Sequence, residues 1–453
     1  METELERHAN RIEALARSLG LEYYPVDFEV APASLMTEIA VYGLPIRMPH
    51  WSFGVRYIHQ LVRQSMGHSK IFEVMFPGDP CRAFLMDTNS LAENTLVTAH
   101  VLGHADFAKH NQLFARFHEM AGGNIVEHAA AHAQRIQQAI DAVGTERVEA
   151  VLDAALALES HVDVGGELHR ARYAEFVAER SPTRETGFQK RFSQLPGASA
   201  KPSLPLGPMR AAVPPHPEYD LLWFIAQYAP ELEQWERDIF LAVRAESLYF
   251  YPVFACQIMN EGWASYWHAR LLREADFLPQ PLYLSAIKAH SDVVRPFASE
   301  REASLSINPY HLGFTIWEHI VETHGLERAR EVRRDEDDFG FIRNWLGAEL
   351  AEASGLFVYQ EKSDREVRVT SRDLAAIREA ILAPKFNYGA PRVAATELRT
   401  DGTLELTHDH ASDGRGLDAA RARKVLEYTR RVWRRPVRLR TVNERREPVE
   451  LAS

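Results

Sequence analysis

Two long stretches of helical periodicity constrain the fold of this chain more than any other feature. From Ser90 to about residue 164 apolar residues recur at helical spacing, and Ser90 with Glu93 three residues later predicts a capping box. The pattern gives way to a proline-rich segment over 181–218, then resumes and continues to about residue 354. Pro252 must kink or split the helix that contains it. These patterns predict a mainly α fold.

The C-terminal part of the chain has a different character. From residue 354 short segments typical of strands alternate with two helical ones, and Asp401-Gly402 predicts a hairpin turn. This order predicts a small α+β domain. We therefore predict a large helical domain over 1–353, with the segment 181–218 as a long surface excursion, followed by a C-terminal α+β domain over 354–453.

Composition excludes several classes of protein. A net charge of −11 argues against general nucleic-acid binding, which needs a basic surface. Two cysteines in 453 residues do not make a disulfide framework. The N-terminus has no apolar run of the signal-peptide type, and no apolar stretch is long enough to cross a membrane. We therefore expect a cytoplasmic protein without a membrane span.

The first candidate site is a pair of histidines on one predicted helix. His100 and His104 are four residues apart, so they share a helix face about 6 Å apart along the axis and can converge on one metal ion. Zinc-protease helices use this spacing, but the glutamate that usually follows the first histidine is replaced by Val101. Gly103 would let another backbone come close, and Asp106 could orient an imidazole. The alternative is a pair of hydrogen-bonded core or surface histidines, and His128 with His132 repeats the pattern.

The second candidate site is a glutamate in an apolar, aromatic segment. Glu261 precedes Gly262, which costs about 1 kcal/mol against alanine in a helix and therefore indicates close approach by another group. His268 lies seven residues on, about 10 Å along the helix, so it would orient a metal ligand or act as an acid–base group rather than bind the same ion as Glu261. The alternative is a buried carboxylate paired with an arginine or histidine.

Together these residues have the layout of the glutamate-type zinc peptidases, and a zincin-like fold is the candidate architecture. Our hypothesis is a metal-dependent hydrolase of amide bonds in which His100, His104 and Glu261 bind a divalent metal ion, zinc first. Because position 101 lacks the usual glutamate, the base must come from elsewhere, and the candidates are Glu246, Asp106 and His268.

Further aromatic and charged residues are weaker candidates. His50, Trp51 and His311 could line a pocket, although aromatic packing between helices explains such residues more often, and His290 is a fourth histidine candidate. A basic run near the C-terminus could dock an acidic partner or a phosphate, although a solvated face is the default explanation; its members are Arg430, Arg431, Arg434, Arg435, Arg438 and Arg440. Motifs for nucleotide binding, serine hydrolases and thiol redox chemistry do not occur.

Five blocks of the sequence resemble one known family. "MPHWSFG", "AHVLGHADFAKHN", "QIMNEGWASYWH", "AIKAHSDVV" and "NPYHLGF" are similar to the signature blocks of the SpoVR family, the stage V sporulation protein R proteins, and follow the family order. His110 departs from the asparagine more common in the family, and the excursion over 181–218 matches no family feature that we know.

The resemblance implies a bacterial protein connected with sporulation, the spore cortex and cell wall, or stress. It also implies partners, a PrkA-type serine kinase and a protein of von Willebrand-like character, because relatives are often encoded beside them. It supplies no mechanism. The alternative to a hydrolase is therefore a non-catalytic scaffold or regulatory partner of that kinase system, and a third option is a metal-stabilised fold without turnover.

Overall fold

The computed structural model describes residues 3–43, 48, 50–65, 72–120, 125–166, 170, 212–295, 308–361 and 367–453. The chain forms two compact units: the first comprises Met1–Ser160 and Glu233–Ala390, and the second His161–Leu232 and Pro391–Ser453. The predicted excursion over 181–218 lies outside the described residues except for 212–218. The predicted domain boundary at residue 354 stays a prediction.

The described part of the chain is mainly helical, as predicted. In chain order the helices are α1 (Glu4–Ser18), α2 (Ala33–Tyr42), α3 (Trp51–Ser65), α4 (Leu91–His110), α5 (Gln112–Met120), α6 (Ile125–Val143), α7 (Thr145–Ala157), α8 (Leu221–Tyr228), α9 (Gln234–Ala255), α10 (Gln257–Glu274), α11 (Gln280–Val293), α12 (Pro309–Asp335), α13 (Asp338–Trp345), α14 (Ala348–Ala353), α15 (Leu374–Leu382), α16 (His410–Asp413) and α17 (Ala419–Trp433). A 3₁₀ segment, Ala383–Gly389, follows α15.

Local sequence signals explain several helix boundaries. The Ser90 side chain accepts from the backbone N–H of Glu93 and the Glu93 side chain accepts from that of Ser90, so the predicted capping box at the start of α4 is confirmed. Pro252 lies inside α9, which ends just beyond it, and α10 follows after a bend of 59°. Among the described helices no single one is long and apolar enough to cross a membrane, and only the bent pair α9 and α10 meets both criteria when taken together.

The core of the first unit is built around α10, which packs between α4 and α12. Its tryptophans Trp263 and Trp267 are fully buried and pack with Trp317 of α12 in one apolar cluster. Helix α4 is buried along most of its length, so it has no solvent-exposed face. A polar or charged side chain in the buried middle of α4 or α10 is therefore enclosed by protein and needs a partner.

Two glycines allow these three helices to approach closely, as predicted. A Cβ on Gly103 of α4 would lie 2.7 Å from the Cα of Ala264 of α10. A Cβ on Gly262 of α10 would lie 2.3 Å from the carbonyl carbon of Gly313 of α12. Real Cβ atoms do not approach other carbons so closely, since the ordinary separation is about 3.5–4.0 Å. The glycines therefore set the distances between the helices that carry the candidate ligands.

A small sheet lies beside these helices in the first unit. Strands β1 (Val26–Ala31), β2 (Glu73–Phe76) and β3 (Cys81–Met86) have the order β1-β3-β2, with β1 parallel and β2 antiparallel to β3. Strands β2 and β3 thus form a hairpin around the Pro-Gly-Asp-Pro turn at residues 77–80. Strands β4 (Val358–Glu361) and β5 (Val367–Ser371) form a second, two-stranded antiparallel sheet.

The second unit contains the predicted C-terminal α+β fold. Strands β6 (Val393–Leu398), β7 (Leu404–His408), β8 (Val437–Val442) and β9 (Pro448–Ala452) form one sheet in that order, and α17 packs against β8 and β9. Strands β6 and β7 are antiparallel and joined at the predicted Asp-Gly turn, where Gly402 has a φ of 86°. Strand β8 runs parallel to β7, and α17 makes the crossover between them.

Candidate metal centre

Three of the predicted residues come together where α4 meets α10. The Nε2 atoms of His104 and His100 lie 3.4 and 3.6 Å from Oε2 of Glu261. One ligand atom from each of the three side chains lies within 4.8 Å of the other two, the one such metal-binding group among the described residues. Tetrahedral zinc with bonds of about 2.1 Å has ligand–ligand edges of about 3.4 Å, so this donor set and its spacing fit the ion.

Hydrogen bonds fix which nitrogen of His104 faces the centre. Nδ1 of His104 lies 2.9 Å from Oδ1 of Asn260, the residue that precedes Glu261. Because an amide oxygen only accepts, Nδ1 must carry the proton, and the lone pair of neutral His104 then lies on Nε2. Metal-ligating histidines show this arrangement, with the second ring nitrogen donating to a carbonyl or carboxylate.

Glu261, the third candidate ligand, is held in its charged form. Oε2 of Glu261 is buried and, among the described residues, receives no hydrogen bond of normal geometry. Burial raises the pKa of Glu261, but the neighbouring His100 and His104 outweigh burial and lower it overall. For His104 burial lowers the pKa, and Glu261 outweighs it so that the net shift is upward. A buried, charged carboxylate oxygen needs a compensating partner, and a cation bound between it and the two imidazoles would be one.

A second carboxylate, which the sequence did not single out, reaches the same centre. Glu73 of β2 places Oε1 3.9 Å from Nε2 of His100. Burial raises the pKa of Glu73, and the charge of Glu261 adds to that effect. The available signal was one acidic residue in the apolar strand segment "FEVMF", whose side chain could have faced either side of the sheet.

Tyr310 of α12 is a further residue that the sequence analysis missed, although it lies in the block "NPYHLGF". Its ring stacks on that of His100 at 6.0 Å between centroids. The charge of Glu261, followed by burial, holds the pKa of Tyr310 well above its usual range. The phenol is therefore a hydrogen-bond donor at the centre.

His268 lies next to the cluster and contacts His100 rather than Glu261. Its Nδ1 is 2.9 Å from Nδ1 of His100, and its Nε2 is 2.5 Å from Nδ1 of His290. Burial and the neighbouring imidazoles hold the pKa of His268 well below its usual range. Burial, followed by the charge of Arg273, lowers the pKa of His290 to about 4.

Asp106 belongs to a different network. Its carboxylate accepts hydrogen bonds from Arg333, from Nε1 of Trp263 at 2.8 Å and from the backbone N–H of Glu22 at 3.1 Å. Position 106 is two residues beyond His104, and about 200° of helix rotation takes it to the other side of α4. These contacts make Asp106 the acceptor of a buried ion pair.

Glu246 also lies elsewhere. It is buried on α9, and its Oε1 is 3.6 Å from Nδ1 of His132 on α6. His132 of the second histidine pair thus faces Glu246, whereas both histidines of the first pair face Glu261.

The weaker candidates have partners of their own. Nε2 of His50 and Nε1 of Trp51 lie 3.1 and 2.8 Å from Oδ1 of Asp153. Nδ1 of His311 donates to the backbone carbonyl of Val294 at 3.0 Å.

Part of the basic run faces carboxylates of the second unit. Arg435 pairs with Glu231, and Arg438 and Arg440 lie 3.9 and 3.8 Å from Glu405. The solvated, paired face remains the simpler interpretation of these cations.

The similarity to known proteins extends over nearly the whole chain. A family model described as "SpoVR like protein" matches residues 1–389, and one described as "SpoVR-like C-terminal domain" matches residues 392–444. The uncharacterized protein YcgB of Escherichia coli (strain K12) is 28% identical over 484 residues, covering 97% of this chain and 92% of the relative. No solved structure matches the chain.

Proposed function

The chain belongs to the SpoVR family, and from its buried histidine–glutamate cluster we propose that it is a metal-dependent hydrolase of amide bonds. The observation that carries this proposal is the pair of contacts, 3.4 and 3.6 Å, that one buried oxygen of Glu261 makes with His104 and His100. A cytoplasmic role in sporulation, cell-wall or stress physiology belongs to the proposal, as does the zincin-like architecture.

His100, His104 and Glu261 would hold the ion, with zinc as the first choice for two imidazoles and one carboxylate. Three protein ligands leave a fourth position open, where a divalent ion acidifies water and polarises a carbonyl. The remaining chemistry falls to side chains of this chain that lie around that position.

Glu73 takes the role of the missing glutamate at position 101. Its carboxylate faces the same nitrogen of His100 as Glu261 does, and its raised pKa suits a group that exchanges protons near neutral pH. In hydrolysis the oxygen of water bonds to the amide carbon while one of its protons passes to Glu73. Glu73 then returns this proton to the amide nitrogen as the C–N bond breaks, which gives a carboxylic acid and an amine. The Tyr310 hydroxyl donates to the oxygen of the attacked carbonyl and stabilises its negative charge.

Metal analysis of purified protein tests the first half of the proposal. We expect one zinc or other divalent ion per chain, lost in His100→Ala and retained in His128→Ala. His128 is an exposed member of the other histidine pair and serves as a matched control. Absence of a stoichiometric ion from the wild-type protein would exclude the metal site.

A second pair of variants tests catalysis. On peptide or peptidoglycan-fragment substrates we expect Glu73→Gln to retain the ion and lose about 10²–10⁴-fold in kcat. Retention of full turnover by this variant would remove Glu73 from the mechanism.

The competing hypothesis is a scaffold of a PrkA-type kinase and its von Willebrand-like companion. A scaffold would keep partner binding after loss of His100 and Glu261, and it would hydrolyse none of these substrates. A metal-stabilised fold would bind the ion, lose thermal stability without it and show no turnover.

A further inference from the structure

A chain of three histidine rings leads outward from the candidate metal centre. Nδ1 of the ligand His100 contacts Nδ1 of His268 at 2.9 Å, and Nε2 of His268 contacts Nδ1 of His290 at 2.5 Å. His268 is fully buried in α10, whereas His290 of α11 is partly exposed beside Phe314. These three rings thus connect the buried candidate ligand His100 to a partly exposed position at His290.

Each of these two nitrogen–nitrogen contacts needs one proton, and each ring is a single donor when neutral. His268 is fully buried and has an imidazole, not a carboxylate, at each ring nitrogen, which favours one proton on each ring of this series. Only two arrangements then satisfy both contacts. In one, every ring donates outward, toward His290. In the other, every ring donates inward, toward His100.

The two arrangements differ at the metal centre. Outward donation puts the proton of His100 on Nδ1 and leaves a lone pair on Nε2, which is the form that binds metal. Inward donation puts that proton on Nε2, where it faces Oε2 of Glu261 at 3.6 Å and Oε1 of Glu73 at 3.9 Å. The same carboxylates that bind a cation can thus accept this proton when the cation is absent.

We propose that His100, His268 and His290 change tautomer together when a metal ion binds, which makes His290 a positioning residue for a ligand that it does not touch. This inference rests on the proposed metal site. When the ion binds, His268 and His290 both carry their proton on Nε2. Nε2 of His290 therefore changes from a hydrogen-bond acceptor to a donor. Metal binding at the buried centre thus changes the hydrogen bonding of a partly exposed histidine.

Nitrogen NMR of the full-length protein with ¹⁵N-labelled histidine tests this, with zinc alone as the probe. We expect zinc binding to shift His268 and His290 together toward the Nε2–H tautomer. Stoichiometric zinc binding that leaves both tautomers unchanged would overturn the inference while the metal site stands. Failure of the wild-type protein to bind zinc would overturn the proposed function and remove the premise of this inference.

Zinc affinity of three variants gives an independent measurement. His290→Ala removes the acceptor for the Nε2 proton of His268, so we expect zinc to bind about tenfold more weakly. His290→Asn supplies an amide oxygen near the position of Nδ1 and should restore most of that affinity. His311→Ala removes a partly exposed histidine of α12 that is not one of the three connected rings, and it should leave the zinc affinity unchanged. Equal affinities of the alanine and asparagine variants at position 290 would overturn the inference.

Discussion

Replacement of Gly262 by alanine should destabilise the protein, although the same change usually stabilises a helix. Alanine is favoured over glycine in a helix by about 1 kcal/mol. At Gly262, however, the new Cβ would lie 2.3 Å from the carbonyl carbon and 2.4 Å from the Cα of Gly313. These are backbone atoms, so no side-chain rotation can relieve the overlap, and α10 and α12 must move apart by more than about 1 Å to reach ordinary contact.

Helix α10 has no space in which to make that movement. Ala264 lies two residues beyond Gly262, on the other side of α10, and there it meets Gly103 of α4 with almost no space for a Cβ. Overpacking costs about 1–3 kcal/mol, and an overlap with backbone belongs at the upper end of that range. Subtracting the helix-propensity gain of about 1 kcal/mol leaves a net destabilisation of roughly 2 kcal/mol.

The same displacement should damage the proposed metal centre, because Glu261 is the neighbour of Gly262 and the two proposed histidine ligands are on α4. Metal–ligand distances tolerate errors of only about 0.2 Å. We therefore expect Gly262→Ala to weaken zinc binding by at least the roughly 10–100-fold typical of damage to the shell around the ligands.

Urea denaturation and zinc competition measure the two effects. Gly54→Ala is the matched control, because Gly54 is also inside a helix and nothing lies within 4 Å of its virtual Cβ. The control should gain up to about 1 kcal/mol of stability and bind zinc normally. The reasoning is refuted if Gly262→Ala is as stable as the wild-type protein and binds zinc with the same affinity.

Two further predictions concern charge. Asp106→Asn leaves the buried Arg333 without its counter-ion and should cost about 3–5 kcal/mol in denaturant titrations, with zinc stoichiometry intact, whereas the exposed Asp335→Asn should change little. The raised pKa of His104 means that its proton stabilises the zinc-free protein fully below about pH 6.5, and that this contribution is lost as the pH rises through the raised value. Zinc, which displaces that proton, should bind more tightly over the same rise, and a pH-independent affinity would contradict this assignment.

The sequence predicted the parts of the site that depend on position within a single helix. His100 and His104 converge because of their spacing. The cost of glycine in an apolar helix correctly indicated close approach at Gly262, and the small size of Gly103 correctly indicated it on α4. Which groups approach could not be predicted, because the contacts with Gly313 and Ala264 depend on how three helices cross.

The proposed base was the hardest residue to predict, and the reasons differ among the candidates. Asp106 was chosen for its closeness to His104 in sequence, although helix geometry alone places it on another face of α4. Glu246 was a candidate because it is an acidic residue in an apolar helix. It is buried, but its carboxylate faces His132 and not His100 or His104. Glu73 was missed because strand alternation allows two faces, and only the pairing of β2 with β3 decides which one meets His100.

Charge balance links the choice of ion to the role of Glu73. With His100 and His104 neutral, the two carboxylates of Glu73 and Glu261 give the buried centre a charge of about −2, which burial strongly disfavours. The two groups whose pKa values are raised there, His104 and Glu73, are those that can carry compensating protons in the metal-free protein. In the proposed hydrolase a divalent cation would supply the same two charges and take the place of these protons. Their departure would leave Glu73 ionised, the form in which it would accept a proton from water, so the charge that retains the ion would also put the proposed base in its active form.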